Sequence, residues 1–337
     1  MNEVTGGSTA SCPPLASSRG NPGRGRVRVR VPATSANLGP AFDCAGLALR
    51  LHDVLEFAVT PSGLSVEVSG VGAGELPTDE SHLVVRAFRA ACAELGWSPP
   101  GLRLVAENAI PQGRGLGSSA AAVVAGVLGA WALCPEVEEL DGNAVLRLVT
   151  ALEGHPDNVA ACFVGGATLS WTGSDGVVAD QLLVHAELRP VVLVPPATLS
   201  TETARGLLPA VVPHADAAFN AGRAALLVHA LTAEPGLLLA ATEDRLHQRQ
   251  RAAAMPESFE LVGRLREAGH AAVISGAGPS VLVLSRWHPD DPPAEPRAAV
   301  RFREIAALTP DGWSALPLEV DTGGARVIPE PQEVSSS

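Results

Sequence analysis

Residues 111–122 read PQGRGLGSSAAA. Gly113, Gly115 and Gly117 let a backbone come close to a partner, and Ser118 and Ser119 open a run of small helix formers. A helix start behind such a loop presents several free N–H groups and the positive end of the helix dipole, which is chemistry for a phosphate. No lysine follows the glycines, so this is not a Walker loop, and the dinucleotide fingerprint G-x-G-x-x-G fits poorly. Glycines alone are also explained by a helix start packed closely on a strand; the GLGSSAAA continuation favours the phosphate.

Four other groups of residues carry reactive chemistry. PATSANLGPAFD (32–43) places Asn37 and Asp43 in a Gly/Pro turn, where an Asx pair can equally serve local turn bonding. EGHPDN (153–158) packs Glu153, His155, Asp157 and Asn158 into six residues at a helix end; it suits magnesium beside phosphate oxygens, or a plain polar terminus. STETAR (200–205) puts Thr201 and Arg205 one helical turn apart, with Arg251 further on. An arginine fork grips a carboxylate with two parallel bonds, although single arginines on helices are commonly just solvated. SGAGPS (275–280) holds Gly276 and Gly278 between two apolar runs, as a simple hairpin turn also would.

Composition narrows the chemistry. All 24 basic Lys+Arg residues are arginines, which removes Schiff bases, lysine bases and phosphate-binding lysines together. A net charge of −12 argues against a general nucleic-acid or anionic-membrane binder. The five cysteines (Cys12, Cys44, Cys92, Cys134, Cys162) are scattered, without a C-x-x-C, and fit reduced thiols in a cytoplasmic protein better than zinc or disulfides. No apolar run is long enough to span a membrane, and no apolar export core follows Met1.

The elements that must position these groups read as mixed α and β. At roughly 150 residues per domain, 337 residues suggest two domains. Residues 1–25 read as a disordered tail rich in Ser, Gly and Pro, and 329–337 as a loose tail. RVRVRV (26–31) alternates as a strand with its arginines outward in solvent. Strands are expected at 54–59 and 64–68, joined by Pro61-Ser62-Gly63, and at 102–107, 165–171, 188–194, 271–274 and 281–284. Helices are expected at 83–95, 119–132 and 143–152, with three or four more between 200 and 268. A domain boundary is expected within 172–187, where Thr172 to Gly176 forms a turn-rich break.

Three of these segments resemble the motifs of the GHMP kinases: PATSANLGPAFD, PQGRGLGSSAAAVVAG and SGAGPSVLVL, in family order, within a likeness covering about residues 26–327. Within the family, SANLGPAFD, EGHPDNVAA, STETARGLLP and DRLHQRQR followed by MPES are most similar to the branch that acts on L-homoserine. The mevalonate branch is disfavoured, since its first motif carries a mechanistic lysine. Ala41 stands where a glycine is usual, and His82 where an asparagine often lies near the nucleotide base. Glu153 and Asp157 are more closely spaced than in some relatives.

The resemblance implies an α+β fold of two domains: a ribosomal-protein-S5-like N-terminal domain (26–180) and a ferredoxin-like C-terminal domain (181–328). The implied reaction moves the ATP γ-phosphoryl group to the side-chain hydroxyl of L-homoserine, a step of threonine biosynthesis, with Mg²⁺. Pro111, Gly113, Arg114, Gly115, Leu116, Gly117, Ser118 and Ser119 would hold the triphosphate, with Ser119 and Glu153 at the metal. Asn37 would meet the substrate hydroxyl and Asp43 its ammonium. Thr201, Arg205 and Arg251 would take its carboxylate, His155 and Asp157 would border it, and Gly276 and Gly278 would close the site. No protein general base is assigned; the hydroxyl proton can pass to the phosphate itself. Nucleic-acid and membrane partners are not expected, and a homodimer is left open. The competing readings are another small-molecule kinase of the family and a non-catalytic sensor that keeps the fold.

Overall fold

The computed structural model describes residues 25–174, 176–286 and 297–328. Residues 1–24 of the expected N-terminal tail, and all of 329–337, lie outside the described residues.

Among the described residues the first sheet has seven strands. β1 (Arg26–Ala36) pairs antiparallel with the long β2 (Ala45–Val59). β2 begins nine residues before the expected Val54, so its first part borders the 37–43 turn. β3 (Gly63–Gly70) follows β2 through the expected turn but does not pair with it, because β4 (Gly101–Asn108) lies between them, antiparallel to β2 and parallel to β3. The other end of β2 pairs with β5 (Ala167–Gly173), which carries β6 (Gly176–Leu182) on its outer side. β6 begins where the expected turn-rich break ends, and the expected division at 180/181 falls inside it. The register slips between Pro32 and Ala33, where proline has no N–H for the ladder.

Four helices cover this sheet: α1 (Leu83–Glu94), α2 (Ser118–Leu133), α3 (Gly142–Glu153) and α4 (Pro156–Val164). α2 is apolar all round and buried along most of its length, so it forms the centre of the core rather than a surface helix. Gly126 makes this possible, because a Cβ there would meet the Val84 carbonyl and the Ala87 methyl of α1. Val27, Val29 and Val31 alternate into the core as β-periodicity requires. The intervening arginines are not wholly in solvent: Arg28 and Arg30 are half-buried, Arg26 bonds Glu56 at 2.7 Å, and the register sets Arg28 opposite Glu56.

The second sheet is antiparallel, β10-β7-β9-β8, from β7 (Leu188–Val194), β8 (Ala272–Ile274), β9 (Val281–Arg286) and β10 (Ser314–Pro317). Its helices are α5 (Thr201–Gly206), α6 (His214–Thr232), the single turns α7 (Leu238–Ala241) and α8 (Gln248–Arg251), then α9 (Pro256–Glu267) and α10 (Arg297–Leu308). Beyond it the chain returns to the first sheet. Val320 bridges Leu49, and β11 (Arg326–Ile328) pairs antiparallel with β1. Asp321 anchors this return: its carboxylate accepts from Gly323 N, Gly324 N and the His52 ring. Burial alone would raise its pKa, but these partners hold it below the usual carboxylate range.

Candidate active site

The five motifs converge on one open cleft between the two sheets. The glycine loop runs from β4 to α2. Its start is held by Asp53, whose carboxylate accepts from Ala109 N (2.7 Å) and Ile110 N (2.9 Å). Gly113, Gly115 and Gly117 all have positive φ (63°, 72° and 68°), and Gly117 is the left-handed residue before α2. A Cβ on Gly117 would overlap the buried Thr34 hydroxyl, so glycine is required there by the protein's own packing as well as by its dihedral. No side chain caps α2, which leaves its first N–H groups facing the cleft beside Ser118 and Ser119.

Three residues of the expected nucleotide loop do not line the cleft. Leu116 is buried, and its carbonyl accepts from Thr34 N. Arg114 turns away: its guanidinium donates to Pro195 O (3.0 Å), Pro196 O (2.8 Å) and Gln112 O (3.1 Å), tying the loop to the end of β7. Pro111 is absent from the lining as well.

Glu153 and His155 mark a break between two helices. Gly154 (φ 90°) ends α3 in the left-handed conformation, and Pro156 starts α4 at its first position. The cluster therefore spans a helix–helix junction rather than one helix end. Ser119 Oγ donates to Glu153 Oε2 at 2.8 Å, joining the start of α2 to the end of α3. Burial raises the Glu153 pKa, against the Ser119 bond and the nearby His155, which both pull it down. His155 Nδ1 lies 2.7 Å from Asp157 Oδ1, and that bond raises the imidazole pKa. Asp157 is buried and also accepts from Asn158 N (2.7 Å). A hydroxyl and a carboxylate at an uncapped helix start suit a hard cation whose remaining ligands are phosphate oxygens and water. Among the described residues no group of three or more acidic, His or Cys side chains could hold a metal by itself.

The facing wall comes from the 37–43 turn and the second domain. Asn37, Leu38 and Asp43 all have positive φ (69°, 46° and 57°), a strained run for non-glycine residues. Asn37 bridges the halves of the site: Nδ2 donates to Gly276 O (3.0 Å) and Oδ1 accepts from Asp43 N (3.0 Å). The 275–280 turn meets the glycine loop directly, with Ser275 Oγ donating to Gly115 O (2.6 Å). Gly276 and Gly278 line the cleft.

The two predicted arginines sit in different surroundings. Arg251 is 1% exposed. Its Nε donates to Ala204 O (3.2 Å), and its Nη1 donates to Gly276 O (3.3 Å) and His247 Nδ1 (3.3 Å). Burial, then repulsion from Arg205, lowers its pKa. His247, wholly buried, has Nε2 2.7 Å from Gly39 O. Its ring is therefore the Nε2–H tautomer, neutral and accepting at Nδ1. Arg205 is about a third exposed and forms a two-pronged pair with Asp43 at 2.6 and 3.0 Å, which raises its pKa. The Phe42 ring lies against both guanidinium groups, with centroids 5.6 Å from Arg205 and 5.3 Å from Arg251. Thr201 lines the cleft one turn before Arg205; Asp43 reaches its edge through the pair with Arg205.

Some contributors carry little sequence signal. Thr34 Oγ1 donates to Asn158 Oδ1 (2.8 Å), a bond between residues 124 apart in the chain. Asn158 is visible in the EGHPDN cluster, but its role depends on that partner. His82 caps α1, accepting from Val84 N at Nδ1, while its Nε2 is buried with no partner among the described residues.

The N-terminal model of the GHMP kinases matches residues 82–166 and their C-terminal model residues 218–305. The chain is 55% identical to a homoserine kinase of Clavibacter michiganensis over 90% of its own length and 94% of that protein. It is 53% identical to a homoserine kinase of Streptomyces avermitilis over 90% and 96%. Among solved structures, the homoserine kinase of Cytophaga hutchinsonii superposes with a TM-score of 0.77 at 26% identity, covering 91% of this chain and 99% of that one. With the three motifs gathered around one cleft between an S5-like and a ferredoxin-like domain, the chain belongs to the GHMP kinase family.

Proposed function

We propose that the chain is an ATP-dependent kinase that phosphorylates the side-chain hydroxyl of L-homoserine to O-phospho-L-homoserine, a step of threonine biosynthesis. The observation that carries this reading is the Ser119–Glu153 contact at the uncapped start of α2, across one cleft from Arg205 and Arg251. A phosphate site and a carboxylate site then line the same cleft.

The glycine loop and the first N–H groups of α2 bind the triphosphate and orient its γ-phosphoryl group. Ser119 and Glu153 are the residues that would hold Mg²⁺, which when bound neutralises charge on the phosphate oxygens. Arg251, fixed by two carbonyls and His247, takes the substrate carboxylate with Arg205 and Thr201. Asp43 takes the ammonium, and Asn37 orients the hydroxyl. His155, Asp157, Gly276 and Gly278 complete the walls. Catalysis here is positioning plus charge stabilisation: the hydroxyl oxygen bonds the γ-phosphorus as the bond to ADP breaks, and the hydroxyl proton passes to an oxygen of the transferred phosphoryl group.

ATP consumption by the purified protein, compared across L-homoserine, L-threonine, L-serine, mevalonate and galactose, tests the assignment. Preference for L-homoserine is expected. Preference for another acceptor would mean a different kinase of the family, and no turnover with any would favour a non-catalytic protein.

A further inference from the structure

The Asp43–Arg205 pair has an arrangement that a simple binding pocket would not need. Asp43 and Arg205 come from different domains, 162 residues apart, yet they meet through two charge-assisted bonds of 2.6 and 3.0 Å. The carboxylate is delivered by a left-handed backbone (φ 57°) whose N–H is held by Asn37. Each side chain is about a third exposed, so solvent reaches both partners, and the pair is not locked in the core. Arg251, by contrast, is buried and fixed by protein acceptors. The cleft thus contains one rigid cation and one cation neutralised by an adjacent anion.

We propose that the Asp43–Arg205 pair stands in for the substrate's own zwitterion, and that an α-amino acid enters by exchanging ion pairs with it. The ligand's carboxylate replaces Asp43 on Arg205, and its ammonium replaces Arg205 on Asp43. Both charges of the Asp43–Arg205 pair are matched before and after the exchange. A ligand with only one charge takes one partner and leaves the other matched by solvent alone, so it gains less than the zwitterion does. Selectivity for amino acids over hydroxy acids and amino alcohols then comes from the protein's internal pair as much as from its contacts to ligand. This proposal rests on the assignment of L-homoserine as acceptor.

Calorimetric binding to the full chain without nucleotide tests it, using L-homoserine, 4-hydroxybutyrate (no ammonium) and 3-aminopropan-1-ol (no carboxylate). Asp43→Asn suits a positive φ and frees Arg205. It should weaken L-homoserine but strengthen 4-hydroxybutyrate up to about fivefold over the wild type. Arg205→Gln should do the reverse for 3-aminopropan-1-ol, and it tests the idea independently should the first variant misfold. If the wild type binds and phosphorylates L-homoserine but neither variant improves its single-charge ligand, the exchange is overturned and the kinase assignment stands. If the wild type neither binds nor phosphorylates L-homoserine, both fall.

Discussion

Arg205 and Arg251 look interchangeable as carboxylate ligands, yet replacing them should have different effects on the folded protein. Arg251→Ala removes the only described donor to Ala204 O and to His247 Nδ1, while Gly276 O keeps the Asn37 amide. Two buried acceptors without donors cost roughly 1–3 kcal/mol each. Loss of the Phe42 contact adds about 0.5–2 kcal/mol, and release of a buried charge offsets part of the sum. A net destabilisation of about 2–4 kcal/mol follows. Arg205→Ala breaks a pair that is a third exposed, and such pairs are worth about 1 kcal/mol or less. Both variants should raise the KM for L-homoserine about tenfold or more, as loss of a charge-assisted bond of about 1.5–3 kcal/mol requires. Urea titration followed by tryptophan fluorescence reads the stability, and coupled ATP-turnover assays read the KM. Equal stability loss in the two variants, or a larger loss for Arg205→Ala, would refute the argument that Arg251 is held by the protein and Arg205 by its solvent-accessible pair. Unchanged KM in both would move the carboxylate site elsewhere.

Gly117→Ala should lose about 2 kcal/mol or more of stability together with nucleotide binding, because the new methyl strikes Thr34 before it can meet a phosphate; a stable Ala variant with wild-type ATP affinity would contradict this. Glu153→Gln should lower kcat about 100-fold, roughly 2.7 kcal/mol of barrier, with partial rescue by excess Mg²⁺ or Mn²⁺ and little change in the urea midpoint; full activity at low magnesium would transfer the ligand role, with Asp157 next in line. His247 is held below the ordinary imidazole pKa, chiefly by burial. The unfolded chain takes up that proton near pH 6.5 while the folded chain resists it, so stability falls as pH drops below about 6.5. His247→Asn should flatten this fall between about pH 7.5 and pH 5.5, and equal slopes for variant and wild type would count against a neutral His247.

Local chemistry was the legible part of the site. The glycine loop, the EGHPDN junction and the 275–280 turn are each written within a dozen residues, because helix starts, helix stops and tight turns depend on neighbours along the chain. What was hidden depends on partners far away. Arg114 looks like a phosphate ligand until β7 brings the Pro195 and Pro196 carbonyls to it. Gly117 looks like a ligand-contact glycine until Thr34 appears behind it. Among the strands, β1 announced itself by strict alternation, but β6 and β11 did not. β6 begins at a glycine in a polar, turn-rich stretch, and β11 is three residues long and acquires its meaning only from pairing with β1.

That last pairing has a consequence for how the protein comes into being. The outer edge of β1 is satisfied by Arg326, Val327 and Ile328, and Asp321 N bonds Ala48 O while Asp321 O accepts from Gly166 N. During synthesis these residues leave the ribosome some 300 residues after β1 itself. At translation rates of about 5–20 residues per second, the nascent first domain waits on the order of half a minute with an unpaired strand edge. Its earliest strand is therefore its last to be covered, so the first domain cannot be released as a finished unit before the second has been made.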